Sequence, residues 1–229
     1  MDIDKPKPKP WHGRADFLKE VVTIVIGVLI ALGAQQAVEW LHTRDSVAET
    51  REALRAEAAT NVGATRFAVQ EDRCYLKALD MYEAWAKGAP KPEVPYISAP
   101  GPMDTVWETA KSSAVTHMPL KEKLGWARLY AGVSNIRALG MQQRSQGQQV
   151  RGYLGLDSLE TPEARSLIRE VRTYRGIMTG KLSNEQRFLV EAKALGVVSG
   201  PFGGYLTKDN VANLERLCKF VGEKPDLSS

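Results

Sequence analysis

The sequence offers little for metal or nucleophile chemistry: it has only two cysteines, Cys74 and Cys218, and three histidines, His12, His42 and His117. Two cysteines exclude a disulfide-rich framework and any paired Cys-x-x-Cys site. The histidines are isolated, with no His-Glu-x-x-His and no two one helical turn apart, so no zinc site is written in a familiar spacing. The Glu-x-x-His motif of di-iron bundles is missing too. The glycines between 196 and 204 lack the Gly-Lys-Ser/Thr ending of a phosphate loop and read as a turn. No Gly-x-Ser-x-Gly elbow occurs. The sequence therefore predicts no catalytic, cofactor-binding or metal-binding residue, and the chain reads as a non-enzyme without a cofactor.

Other absences narrow the class further. Lysine and arginine outnumber acids by only 31 to 27, a net charge of +4, and no basic cluster is interleaved with aromatics, which argues against a nucleic-acid partner. No stretch alternates at period two and no repeat of 20 to 50 residues is visible, which argues against sheets and solenoids. Between Val38 and Trp85 there is no proline and one glycine, Gly63, so nothing breaks a helix there.

What is present is one apolar run. Val21 to Ala34 reads VVTIVIGVLIALGA, without a charge. Fourteen residues alone are short of a span, which needs about 20. Extension through Phe17 and Leu18 on one side and Val38, Trp40 and Leu41 on the other gives a helix of about 36 Å, enough to cross the hydrocarbon. Residues 17–41 are predicted to be a transmembrane helix, with Trp11, Lys19 and Trp40 anchoring it at the interfaces. Gly27 with Ala31, and Gly33 with Ala37, form small-xxx-small pairs on which another helix could pack. One rival is a buried core helix. Another is a cleavable signal peptide, with Ala31-Leu32-Gly33 as the cleavage site, which would make the product an exported helical binding protein. Glu20 abutting the run, and a helical pattern continuing past the cut, favour the anchor.

The flanks set orientation. Residues 1–16 form a basic arm containing KPKPKP, and Lys5, Lys7, Lys9, Arg14 and Lys19 precede the span, against Arg44, Arg51 and Arg55 after it. The positive-inside rule predicts a cytoplasmic N-terminus and a periplasmic domain over residues 42–229, in a bacterial inner membrane.

That domain reads as helical. A helix is expected to run on to about Lys87, with a charged, solvated stretch over Arg44 to Ala59 and then an apolar face of Phe67, Cys74, Ala78, Met81 and Trp85. Prolines 90, 92, 95, 100 and 102 mark a loop. A short helix is expected from Asp104, as N-cap, to Ser113. Leu120, Leu124, Ala127, Ala131 and Ala138 are taken as the buried stripe of the next helix, and QQRSQGQQ from Gln142 as its frayed, exposed end. Thr161-Pro162-Glu163 opens a helix to about Leu195, held in register by Val171, Tyr174, Met178, Leu182 and Leu189. Whether Gly180 breaks it, with Ser183 and Gln186 capping a fresh start, stays open. A last helix covers Lys208 to Val221. The predicted fold is all-α: one membrane helix continuing into a periplasmic bundle of about four helices. If the faces bearing Cys74 and Cys218 share the core, a disulfide between them is expected in an oxidising compartment.

The run FLKEVVTIVIGVLIAL, the Trp40-containing helix after it and the segment Trp107-Glu108-Thr109-Ala110-Lys111-Ser112-Ser113 together resemble a family of uncharacterised bacterial single-pass proteins, a domain of unknown function. The resemblance implies the anchor and supplies no activity.

The expected role is a membrane-anchored, non-catalytic structural or accessory subunit. Its partners would be the lipid bilayer and either another membrane protein or a second copy of the chain. The alternative is a periplasmic ligand-sensing bundle, its small-molecule ligand unspecified, acting through a separate partner because so short a cytoplasmic arm can carry no output domain.

Overall fold

Helix α1 of the computed structural model runs unbroken from Arg14 to Trp85, 72 residues. The structure describes residues 13–95, 101–198 and 207–225. All regular elements among them are helices: after α1 come α2 (Thr105–Ala110), α3 (Leu120–Gly152), α4 (Thr161–Ala194) and α5 (Lys208–Phe220), with single 3-10 turns at Ala114–His117 and Tyr153–Gly155. The chain divides into two compact units, Met1–Ala48 and Glu49–Ser229.

The first unit contributes the apolar part of α1. It is the one helix among the described residues long and apolar enough to cross a membrane, and none of that stretch is buried. Ile24, Leu29 and Ile30 are among the large apolar side chains left uncovered. A soluble core helix would hide such residues. Along it, the Thr23 hydroxyl donates to the Lys19 carbonyl at 2.8 Å, and the Arg44 guanidinium lies 5.6 Å from the centre of the Trp40 ring.

In the second unit α1 is central. From Asn61 to Val69 every residue but Arg66 is buried, and small residues Gly63, Ala64 and Ala68 let neighbours approach on several sides. Further on, Phe67, Cys74, Ala78, Leu79, Tyr82 and Trp85 pack with Val150 of α3, Leu167, Val171, Tyr174 and Met178 of α4, and Leu214 and Leu217 of α5 in one apolar core. Helices α3 and α4 lie antiparallel. Gly125 faces Leu195 at one end, Gly132 faces Phe188, and Gly147 faces Tyr174 towards the other. The α5 helix opens on a capping box: Thr207 Oγ1 accepts from the Asn210 N–H at 3.2 Å, and Thr207 N–H donates to Asn210 Oδ1 at 3.1 Å.

Several sequence expectations change here. The stretch Arg44 to Ala59 is not solvated throughout, because Leu54, Glu57 and Ala58 are buried. Met81 is only half-buried. The inward stripe of α3 is Trp126, Leu129, Tyr130, Val133 and Ile136, whereas Leu120 and Leu124 are 68% and 52% exposed. Bulky aromatics bury more area than alanines, so they set which face turns in. The glutamine-rich stretch is ordered helix, with Gln146 and Gly147 buried. Helix α2 stops at Ala110, and Asp104 makes no side-chain cap, its carboxylate being taken by Arg137 at 2.7 Å. Helix α4 passes through Gly180 without a break.

Candidate functional site

The residues that matter most in the second unit are polar ones at helical spacing on the buried side of α1: Glu57, Asn61, Thr65 and Asp72, each at most 8% exposed. Buried polar groups must be partnered or they cost free energy, and their partners organise the fold around them. Glu57 accepts from Tyr130 Oη at 2.8 Å and from the Val106 N–H at 2.9 Å. Trp107 stacks flat on Tyr130, ring centres 5.1 Å apart. Asn61 exchanges two hydrogen bonds with the Met103 backbone, at 2.6 and 2.8 Å. Arg51 holds Glu122 of α3 through two hydrogen bonds, at 2.7 and 2.9 Å. These contacts fix α2 and α3 against α1.

Asp72 anchors the deepest group. Its Oδ1 accepts from Gln143 Nε2 of α3 at 3.0 Å, and its Oδ2 from Lys181 Nζ of α4 at 2.8 Å. Lys181 Nζ also stands 2.8 Å from Glu185 Oε1, one turn along α4. Lys181 thus pairs with both carboxyls. The Asp72 and Glu185 side chains are fully buried and that of Lys181 is 10% exposed.

Electrostatics sort the three groups. Burial pushes the Glu185 carboxyl up, the Asp72 charge pushes it further, and Lys181 only partly offsets them, leaving it at about 8. Burial raises Asp72 as well, against the pull of Lys181. Two carboxyls around one ammonium resist ionising together. Asp72 has a donor on each oxygen and keeps the charge, while Glu185 keeps the proton. For Lys181, burial acts downward, but the neighbouring carboxyls outweigh it and the ammonium is held protonated. A lysine in that state has no lone pair for nucleophilic attack. The arrangement holds charge in place and is not built to form a Schiff base.

Between the Asn61 and Asp72 levels the α1 stripe shrinks to Thr65 and Ala68, and a cleft opens there. Its volume is about 700 Å³, open solvent at its mouth included. Ala64, Thr65 and Ala68 of α1 line one side, Ile136, Gly140 and Gln143 of α3 another, and Tyr174, Lys181 and Glu185 of α4 close it. Arg137 borders it while tied to Asp104 and, at 3.0 Å, to the Pro102 carbonyl. Burial pushes the Tyr174 hydroxyl up to about 12, so it stays a neutral donor. Arg144 also borders the cleft, exposed.

None of the site residues expected from the sequence and described by the structure lies in this cleft, although Tyr174, expected only as a register residue, does. Gly27, Ala31, Gly33, Ala37, Lys19 and Trp40 are exposed in the first unit, and no other side chain comes within 4 Å of a Cβ placed on Gly27 or Gly33. Trp11 lies outside the described residues. The structure brings Cys74 and Cys218 together as a disulfide, Cα atoms 5.1 Å apart, joining α1 to α5 across 144 residues of sequence. The group Asp72, Lys181, Glu185 and Gln143 was missed because each reads as an ordinary surface residue. The available signal was spacing: Lys181 and Glu185 continue the Val171-Tyr174-Met178 face of α4.

No protein-family model, curated protein or solved structure matches this chain. The site is therefore interpreted from its own chemistry. No group of three or more His, Cys, Asp or Glu side chains suited to a metal ion occurs among the described residues.

Proposed function

We propose that this chain is a membrane-anchored, non-catalytic accessory subunit. In this reading residues 17–41 cross a bacterial inner membrane, residues 1–16 are cytoplasmic, and the helical domain, a bundle of about four helices, works in the periplasm. It belongs to the single-pass proteins that its span and the Trp107–Ser113 segment resemble. Its partners are the lipid bilayer and a larger membrane complex or a second copy of the chain. The observation supporting it is the apolar stretch of α1, none of which is buried. Lipid or another membrane helix is the cover that such a surface calls for. Purification in mild detergent tests this. A stoichiometric membrane protein or a second copy should accompany the chain, and exchange of Gly27 and Gly33 for leucine should weaken that capture. A monomer with no companion would remove the accessory role. A mature protein beginning at Ala34 would replace the anchor with an exported binding protein.

The cleft favours a second reading, a ligand-sensing domain that reports through a membrane partner. It rests on the buried Thr65 hydroxyl, left without a hydrogen-bond partner among the described residues at the cleft wall.

A further inference from the structure

We infer that the cleft between α1, α3 and α4 binds a small carboxylate carrying a hydrogen-bond donor on the adjacent carbon, a hydroxy acid or an amino acid; this rests on the ligand-sensing reading above. Three features of the cleft define that ligand. First, the Thr65 hydroxyl is buried, lines the cleft and lacks a hydrogen-bond partner among the described residues. Its oxygen can accept from a donor on the ligand, and leaving a buried polar group bare costs more than a hydrogen bond gains. Second, Arg144 is a lining cation, exposed and without a partner among the described residues. A guanidinium so placed suits one carboxylate, which it can hold by two parallel hydrogen bonds. Third, the wall between is small and apolar, with Ala64, Ala68, Ile136 and Gly140, leaving room for a short carbon skeleton.

Other ligand classes fit less well. A metal cation would compete with the Lys181 ammonium, which already stands 2.8 Å from both Asp72 and Glu185. A polyanion such as phosphate would need several uncommitted cations, and Arg137 and Lys181 are already held by carboxylates. A plain fatty acid would leave the Thr65 hydroxyl unmatched.

Propionate, lactate and alanine give a clean comparison, because they share a three-carbon carboxylate and differ in the substituent next to it. Titration calorimetry on the full chain in detergent, with thermal unfolding alongside, should show lactate or alanine binding at least about tenfold tighter than propionate, the factor expected for one hydrogen bond to a buried acceptor. Thr65→Val, which keeps the side-chain shape, should abolish most of that preference and leave propionate unchanged. Arg144→Gln, at an exposed site, should weaken binding of every acid that binds by about tenfold or more. Absence of heat and of any melting shift with all three acids overturns the inference, as do equal affinities across the series or an Arg144→Gln variant that binds normally. The sensing reading fails separately, if an acid binds the wild-type chain and leaves its capture of the membrane partner unchanged.

Discussion

Lys181, Asp72 and Glu185 bring the costs of the fold down to single residues. Removing a lysine and two carboxyls from water is unfavourable, and such a group is tolerable only while each charge keeps its partner. Loss of the ammonium alone would leave the Asp72 charge buried without a cation to balance it. Lys181→Met should therefore destabilise the domain by about 3–5 kcal/mol, read from the denaturant midpoint, and Lys181→Met with Asp72→Asn should recover much of that. If the double variant is no better than the single one, the penalty lies in packing and not in charge. Glu185 supplies a test in pH. Its pKa is about 8 in the folded protein against about 4.3 in an unfolded chain. Between those values the folded state holds the extra proton, so this group's contribution to stability falls as pH rises through the window. Glu185→Gln removes the proton exchange, and the variant should gain on the wild type in melting temperature between pH 5 and pH 8.5. Parallel curves would mean that Glu185 is ionised throughout. At this scale the sequence was least legible. Glu57, Asn61, Thr65 and Asp72 are residue types that usually face water, and what turned them inward was the crowding of α2, α3 and α4 around one central helix.

Elements were easier to read than the faces they bury. Helix α4 was legible because Pro162 and Glu163 stand in its first turn and the Val171-Tyr174-Met178 spacing carries its register. Its N-cap is Glu160, without a side-chain cap, and Thr161 is itself helical, where the sequence suggested a capping hydroxyl at Thr161. In α3 the choice of stripe failed. Leu120, Leu124, Ala127, Ala131 and Ala138 do share one face, but the face carrying Trp126, Leu129, Tyr130, Val133 and Ile136 is the buried one. Gly147 shows why α3 and α4 lie close together at Tyr174. A Cβ there would meet the Tyr174 hydroxyl at 2.9 Å and its ring carbon at 3.2 Å. Gly147→Ala gains about 1 kcal/mol of helix propensity but forces the two helices apart, and overpacking of this kind costs about 1–3 kcal/mol. The net effect should be destabilising. Tyr174→Phe removes the nearest atom, so Gly147→Ala should cost less in that background than in the wild type. Equal costs in the two backgrounds would show that the hydroxyl is not what sets the distance.

For the whole molecule, compartment and covalent structure must agree. The Cys74–Cys218 bond joins α1 to α5 across 144 residues, and in the loop-entropy model a cross-link of that span restricts the unfolded chain by about 4–5 kcal/mol. Such bonds persist outside the reducing cytoplasm. The proposed topology, which follows the lysine and arginine on either side of the apolar run, would put the C-terminal unit in such a compartment. Two measurements should therefore move together. Alkaline phosphatase fused after residue 229 should be active in intact bacteria, and the membrane-extracted chain should show no alkylatable thiol until it is reduced. Reduction should then lower the denaturant midpoint of the domain, and Cys218→Ser should lower it by a similar amount without further change on reduction. An inactive fusion accompanied by two free thiols would place the domain in the cytoplasm and remove both the cross-link and the proposed topology. An active fusion with two free thiols would keep the topology and leave α5 held only by Leu214, Leu217 and their neighbours in the apolar core. In that case Cys74 and Cys218 would act as small buried hydrophobes.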